Sequence, residues 1–284
     1  MIQVTYYPGC SLASTGKDYA ESVDVMCRLL GVELVELKGW TCCGSSSAGV
    51  MLGHEAATAL PALTLKLAAE FDRPVFAPCA ACYNRLKVAL RDLKREPALA
   101  AKLEIGAREL NVKVVNTVDL LRDVVGLEAL REKVTQPLTG LKLAAYYGCL
   151  LLRPADMEPY DDPEQPTSME DVIAALGAEP VEWYGKMDCC SGGLAATRQD
   201  VAQTLVARII QMARHAGAEA MVTACQMCSM NLESRQADTA MPVLYLSDLV
   251  GLALGATAGE LGLGRHLIDV RPVLAAKELA AAEH

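Results

Sequence analysis

Apolar residues along the chain fall into short runs of four or five, separated by longer stretches in which they recur every three or four positions. Runs of the first kind at Gln3 to Tyr7, Glu33 to Leu37, Pro74 to Ala77 and Val112 to Val115 read as strands. The stretches Asp18 to Leu30, Met51 to Glu70, Ala80 to Lys94 and a shorter Thr117 to Val125 read as amphipathic helices. The order then recurs, with strands at Leu143 to Tyr147, Pro180 to Trp183 and Ala220 to Thr223 and helices at Met169 to Leu176, Thr197 to His215 and after Cys225. Short strands alternating with longer helices predict parallel β-α-β units. The expected fold class is α/β, with two pseudosymmetric Rossmann-like halves of short parallel sheets and flanking helices.

The cysteines carry the same repeat. Cys10, Cys42, Cys43, Cys79 and Cys82 are separated by 31, 0, 35 and 2 residues; Cys149, Cys189, Cys190, Cys225 and Cys228 are separated by 39, 0, 34 and 2. Tyr6-Tyr7-Pro8-Gly9-Cys10 matches Tyr146-Tyr147-Gly148-Cys149, and Leu30-Gly31-Val32-Glu33 matches Leu176-Gly177-Ala178-Glu179. Such self-similarity indicates an internal duplication. The turn-forming segment Gln136-Pro137-Leu138-Thr139-Gly140 marks the boundary, giving expected domains of 1–137 and 138–284. Cys10, the 42/43 doublet and Cys79 each follow a predicted strand, as do their counterparts. Residues just past the carboxyl ends of parallel strands converge on one crevice, so five thiols per half are expected to meet.

Composition narrows the chemistry. A chain of 284 residues that is 52% hydrophobic and 21% charged buries a substantial core, mainly aliphatic because it holds two Phe and two Trp. A net charge of −9 argues against the basic surface that nucleic acid demands. No apolar stretch approaches the ~18 to 20 residues of a membrane span, and Met1 to Tyr7 lacks a signal-peptide pattern. The expected location is therefore cytoplasmic, a reducing compartment where eleven cysteines point to metal or redox chemistry rather than disulfides.

A thiol of reference pKa ~8.5 needs roughly 2 to 3 kcal/mol of help to be mostly thiolate at neutral pH, more than a helix N-terminus supplies. Five crowded thiolates also repel, so a metal centre is the plausible source of compensating charge. Zinc would use the Cys79/Cys82 and Cys225/Cys228 pairs but takes four ligands in a tetrahedron. A thioredoxin-like dithiol at Cys79-Ala80-Ala81-Cys82 leaves three cysteines per half without a role. Iron-sulfur clusters suit soft thiolates best, although five exceed the four ligands of a cubane. Spacing alone does not decide among these.

The duplicated pattern resembles the cysteine-rich "CCG" domain of the heterodisulfide reductase B subunit (HdrB) family. The resemblance rests on Tyr7-Pro8-Gly9-Cys10, Cys42-Cys43-Gly44, the loop Tyr160-Asp161-Asp162-Pro163-Glu164 and ten matched cysteines. It implies two noncubane [4Fe-4S] clusters, one on Cys10, Cys42, Cys43, Cys79 and Cys82 and the other on Cys149, Cys189, Cys190, Cys225 and Cys228. It further implies a disulfide cleaved, or thiols oxidised in reverse, by one-electron steps at the two clusters. The implied partners are a small-molecule disulfide or thiol and two further subunits, one ferredoxin-like (HdrC-type) and the other a flavoprotein (HdrA-type). The chain's own lack of a ferredoxin cysteine run or a Gly-x-Gly-x-x-Gly fingerprint also requires electrons from a partner. Alternatives are an electron-relay subunit of a lactate-, glycolate- or succinate-oxidising complex, or a zinc-stabilised scaffold. One departure is Ser191-Gly192-Gly193 after the second doublet where the pattern has Gly at once; it predicts an altered loop, not lost binding.

Other features carry weaker signals. The runs Gly44-Ser45-Ser46-Ser47-Ala48-Gly49 and Ser191-Gly192-Gly193 either bring backbone N–H groups to cluster sulfurs or are turns at a helix start. Trp40 and Trp183 precede the doublets and either shield the site or pack the core. Arg153 to Ser168 is a lid, a partner contact or a solvated loop. Tyr7, Tyr147, His54 and His215 are proton-donor candidates, none singled out, and Cys27 reads as a buried apolar residue.

Overall fold

The computed structural model describes residues 1–45, 48, 51–236 and 241–279. The N-terminal half builds one four-stranded sheet from β1 (Ile2–Tyr6), β2 (Val32–Glu36), β3 (Val75–Phe76) and β4 (Val114–Val115) in the order β2-β1-β3-β4. The C-terminal half builds another from β5 (Lys142–Tyr146), β6 (Glu179–Pro180), β7 (Ala220–Thr223) and β8 (Val243–Tyr245) in the order β6-β5-β7-β8. Every pairing is parallel, with Thr5 opposite Val75 in one sheet and Tyr146 opposite Thr223 in the other. This is the α/β architecture that the alternation of short apolar runs and helical stretches predicts.

The helices that matter for the site are α1 (Lys17–Leu30), α2 (Gly53–Ala68), α3 (Ala80–Arg95), α4 (Leu127–Glu132), α5 (Ser168–Ala175), α6 (Gln199–His215), α7 (Gln226–Ser234) and α8 (Leu246–Ala253). In α1, Tyr19, Ser22, Val23, Met26 and Leu30 are buried at helical spacing. The helix stops at Gly31, whose φ of +75° is the left-handed conformation that glycine adopts without a Cβ penalty. The chain then turns straight into β2.

Three details depart from the expected outline. The expected strand Pro180 to Trp183 is laddered at Glu179–Pro180, on the sheet edge where a residue without an N–H is tolerated. The expected helix Thr117 to Val125 begins as an α-turn at Thr117–Asp119, capped by the Asn116 side chain, and widens into a π-helix over Leu120–Gly126. β8 and α8 lie outside the outline that the sequence predicts, because Val243, Leu244 and Tyr245 are buried on both faces and run directly into an apolar helix, leaving no period to read.

The halves interlock reciprocally. α1 packs on α8 of the other half, and α5 packs on the helical stretch from Thr117 through α4. At the first contact the Ser22 hydroxyl donates to Asp248 Oδ1 at 2.5 Å and lies 2.7 Å from Ser247 Oγ. His266 completes this buried cluster, with Nε2 3.1 Å from Asp248 Oδ2 and Nδ1 3.5 Å from Glu233 Oε1. Burial alone lowers an imidazole pKa, but hydrogen bonds to Asp248 and Glu233 overcome it and push His266 up to about 10. A raised pKa stabilises the fold fully below the unfolded value near ~6.5, and that contribution is lost as pH climbs through about 10. His266→Ala, which strands two buried carboxylates, is expected to destabilise the protein by about 3 to 5 kcal/mol at neutral pH. Thermal melts from pH 7 to 10.5 should show a decline in the parent that the variant lacks. Parallel curves would contradict the assignment.

Candidate functional site

The ten duplicated cysteines sit where the strands end. Cys10 lies in a single helical turn, Gly9–Leu12, just after β1, and the Cys42-Cys43 doublet follows β2. Cys79 follows β3 as the extended N-cap residue of α3, whose first turn carries Cys82. In the second half Cys149 follows β5, Cys189 and Cys190 follow β6, and Cys225 is the extended N-cap of α7 with Cys228 in its first turn.

Within each set the thiols meet in the same pairs. The first cysteine meets the first of the doublet, with Cys10 and Cys42 Sγ 3.8 Å apart and Cys149 and Cys189 Sγ 4.0 Å apart. The second of the doublet meets the last cysteine, with Cys43–Cys82 and Cys190–Cys228 both at 3.5 Å. Cys79 hydrogen-bonds Cys82. The five thiols of the second set line one cavity of about 60 Å³, shared with Tyr147, Gly192 and Met227.

Glycine makes the crowding possible. A Cβ on Gly9 would stand 2.5 Å from Cys82 Sγ, and one on Gly148 would stand 3.1 Å from Cys228 Sγ. Both residues have positive φ, +68° and +64°. The backbone therefore passes directly over the last cysteine of each set, where a side chain would displace the sulfur.

Backbone amides turn inward at the doublets: Gly44 N donates to Cys42 Sγ at 3.5 Å, Ser45 N to Cys43 Sγ at 3.4 Å and Ser191 N to Cys189 Sγ at 3.3 Å. Ser191, where the first half has Gly44, adopts the same left-handed backbone, φ +64° against +76°. The departure in sequence thus leaves this residue's conformation in place, at a cost of roughly 1 to 2 kcal/mol for a non-glycine residue.

Thiols this close share protons. The Cys82 hydrogen bond, opposed by burial and assisted by the amides of Cys82 and Ala81 and by Gln226, holds Cys79 down at about 6. Cys43 is lowered in the same way by Cys82, while Cys82 itself is raised by Cys43 and Cys79. In the second half, Cys149 lowers Cys189 to about 6 and Cys228 lowers Cys190 to about 7, while Cys149 and Cys228 are raised. Within each nest some thiols are thus held down by neighbours that are themselves raised, and a thiophilic cation entering the nest would displace the protons that remain.

Counting back from Cys10 and Cys149 aligns Tyr7 with Tyr146, not with Tyr147 as the look of the two motifs suggests. The contacts agree. Tyr7 Oη donates to the Thr41 carbonyl at 2.8 Å and Tyr146 Oη to the Asp188 carbonyl at 2.6 Å, in each case the residue before the doublet. Each tyrosine is backed by a tryptophan ring, Trp40 at 5.6 Å and Trp183 at 6.3 Å. The tryptophans pack, as one of the two expectations has it, each against the tyrosine that pins the doublet.

The remaining candidates are elsewhere. Tyr147 is the exception in lining the second cavity, but its hydroxyl donates to Glu170 at 2.5 Å. His54 pairs with Glu96 and His215 caps its own helix at the Gln211 carbonyl, both at the surface. Cys27 is buried on α1 and its thiol is pushed up to about 12 by that burial. Arg153 to Ser168 is tied down by Asp161 and by Asn84, which donates to the carbonyls of Leu150 and Arg153. Ser46, Ser47 and Gly49 of the small-residue run lie outside the described residues. Two residues carried no sequence signal: Asn231 donates to the Cys190 carbonyl, and Gln226 Nε2 lies 3.0 Å from Cys79 Sγ in the other half.

The donor set is all sulfur and soft, as an iron-sulfur or zinc group requires. Among the described residues no three His, Cys, Asp or Glu side chains close around a single-ion position.

A profile described as "CCG: Cysteine-rich domain" matches residues 4–87 and again 143–233, stretches that contain all ten of these cysteines. The chain is similar to the 8-methylmenaquinol:fumarate reductase membrane anchor subunit of Wolinella succinogenes, 32% identical over 277 residues that cover 94% of this chain and 97% of that one. It is also similar to the B subunit of the ferredoxin/F(420)H(2)-dependent CoB-CoM heterodisulfide reductase of Methanosarcina acetivorans, 28% identical over 287 residues and 95% of each chain. A protein of Archaeoglobus profundus described as like the heterodisulfide reductase B subunit is 27% identical over 90% of this chain and 91% of its own. Among solved structures, a hypothetical protein from Helicobacter pylori shares the fold, with a TM-score of 0.72 and 11% identity over 94% of this chain; the match spans 52% of that protein's length. Among the described residues no helix is long and apolar enough to cross a membrane.

Proposed function

The chain belongs to the family built on the CCG cysteine-rich domain, here present twice, and from that premise we propose that it is the disulfide-reducing subunit of a multisubunit reductase. Residues 1–137 and 138–284 each form one site. Cys10, Cys42, Cys43, Cys79 and Cys82 would hold one noncubane [4Fe-4S] cluster, and Cys149, Cys189, Cys190, Cys225 and Cys228 a second. The observation that carries this reading is the identical sulfur pairing in both halves, 3.8 and 3.5 Å in one and 4.0 and 3.5 Å in the other.

When bound, such a group supplies iron that accepts sulfur and passes single electrons. Splitting a disulfide takes two electrons and two protons and yields two thiols, so two equivalent one-electron sites match the demand. The chain's own part is to hold and shape. Tyr7 and Tyr146 pin the doublets, Gly9 and Gly148 let the last cysteines approach, and the doublet amides offset thiolate charge. The electrons would come from two partner proteins of the same complex, one ferredoxin-like (HdrC-type) and one a flavoprotein (HdrA-type).

A second reading is supported by the 32% identity to the Wolinella fumarate reductase subunit: the two sites would relay electrons to or from another catalytic subunit. One measurement separates the readings. The anaerobically purified complex should contain iron and acid-labile sulfide, and the CoB-CoM heterodisulfide, as first probe of a mixed-disulfide panel, should elicit a new EPR signal. Signals that respond to the electron donor but to no disulfide would establish the relay, and zinc in place of iron would overturn both.

A further inference from the structure

The two sites are alike in their cysteines but not in what each receives from the opposite half. Gln226 follows Cys225 at the start of α7, and its counterpart after Cys79 is Ala80. Gln226 is 5% exposed and crosses the boundary between halves to place Nε2 3.0 Å from Cys79 Sγ. Ala80 makes the reciprocal crossing, lining the second set's cavity, but brings a methyl group that donates nothing.

Space for the crossing is built in. A Cβ on Gly16 would stand 3.1 Å from Gln226 Cγ, so the glycine leaves room for the glutamine stem. The orientation of the amide is fixed by chemistry as well: a metal-bound thiolate has no proton and accepts only, so the NH₂ must face it. The cost is visible at the other end, where Gln226 Oε1 is buried without a partner. A buried amide that sacrifices its oxygen to aim its nitrogen at one sulfur is accounted for by that contact alone.

We propose that Gln226 is a positioning residue that makes the two sites inequivalent: its amide, donated across the halves to Cys79, raises the reduction potential of the group held by the first set above that of the second. A donor to a cluster sulfur favours the reduced, more negative state. The first site would therefore fill with an electron before the second, giving a two-electron cleavage an order. The inference rests on the two-cluster reading above.

The test is an EPR-monitored potentiometric titration of the anaerobic complex, with iron counted per chain. Cys189→Ser, which removes the second site, identifies the first site's signal. In Gln226→Leu iron content should be unchanged and that signal should move to lower potential, by about a tenfold change in its reduction equilibrium, or ~59 mV for one electron, while the other stays. If Gln226→Leu loads poorly, Gln226→Met keeps the length of the side chain without the amide donor, and should move the same signal in the same direction. Full iron with both signals unmoved, or both moved together, would overturn the inference and leave the functional reading standing. A parent complex without iron would overturn both.

Discussion

Cys189→Ser is expected to leave the protein with about half its iron, whereas Cys27→Ser retains all of it. The difference comes from what surrounds each sulfur. Cys189 faces Cys149 at 4.0 Å, accepts the Ser191 amide at 3.3 Å and is held down at about 6, so it is a thiolate or readily becomes one. A serine hydroxyl at the same place keeps its proton at any pH the protein survives and is a hard ligand for iron. Cys27 is buried on α1 and pushed up to about 12, a neutral apolar side chain. Its replacement buries a hydroxyl and costs ~1 to 3 kcal/mol of stability, which a melt will register and an iron assay will not. Cysteines of the first set, such as Cys43, should behave as Cys189 does and remove the other half. Equal iron in Cys189→Ser and the parent would refute the ligand set.

Much of this arrangement is legible in the amino-acid order. The parallel halves follow from strand and helix periods, and convergence of the thiols follows from their place after strands. What escapes are features with no period or spacing. Val243–Tyr245 is too short and too fully buried to alternate. Gln226 looks like a helix-start residue, and its reach to Cys79 depends on how the two halves dock, which no local pattern encodes. The tyrosine register misleads for a plainer reason: Tyr6-Tyr7 and Tyr146-Tyr147 look alike, but one residue fewer separates the second pair from its cysteine. The backbone follows the cysteine, because glycine must lie over the last thiol, and so Tyr146 rather than Tyr147 takes the place of Tyr7.

That same constraint yields the second large effect, Gly9→Ala, which is expected to empty the first site and spare the second. The new methyl would lie 2.5 Å from Cys82 Sγ, on a backbone whose φ of +68° already costs an alanine about 1 to 2 kcal/mol. The sulfur has little room to retreat, since Cys43 Sγ is 3.5 Å away and Tyr7 is fully buried beside it. Gly148→Ala is the milder counterpart. Its methyl would meet Cys228 Sγ at 3.1 Å and the Tyr146 ring at 3.4 Å, distances that a shift of a few tenths of an ångström relieves. Iron per chain should therefore fall by about half in Gly9→Ala and much less in Gly148→Ala. The EPR signal surviving in Gly9→Ala should be the one that Cys189→Ser loses. Gly9→Ala with full iron and both signals would mean that Cys82 is free to move, and the first nest would then be looser than the second instead of its equal.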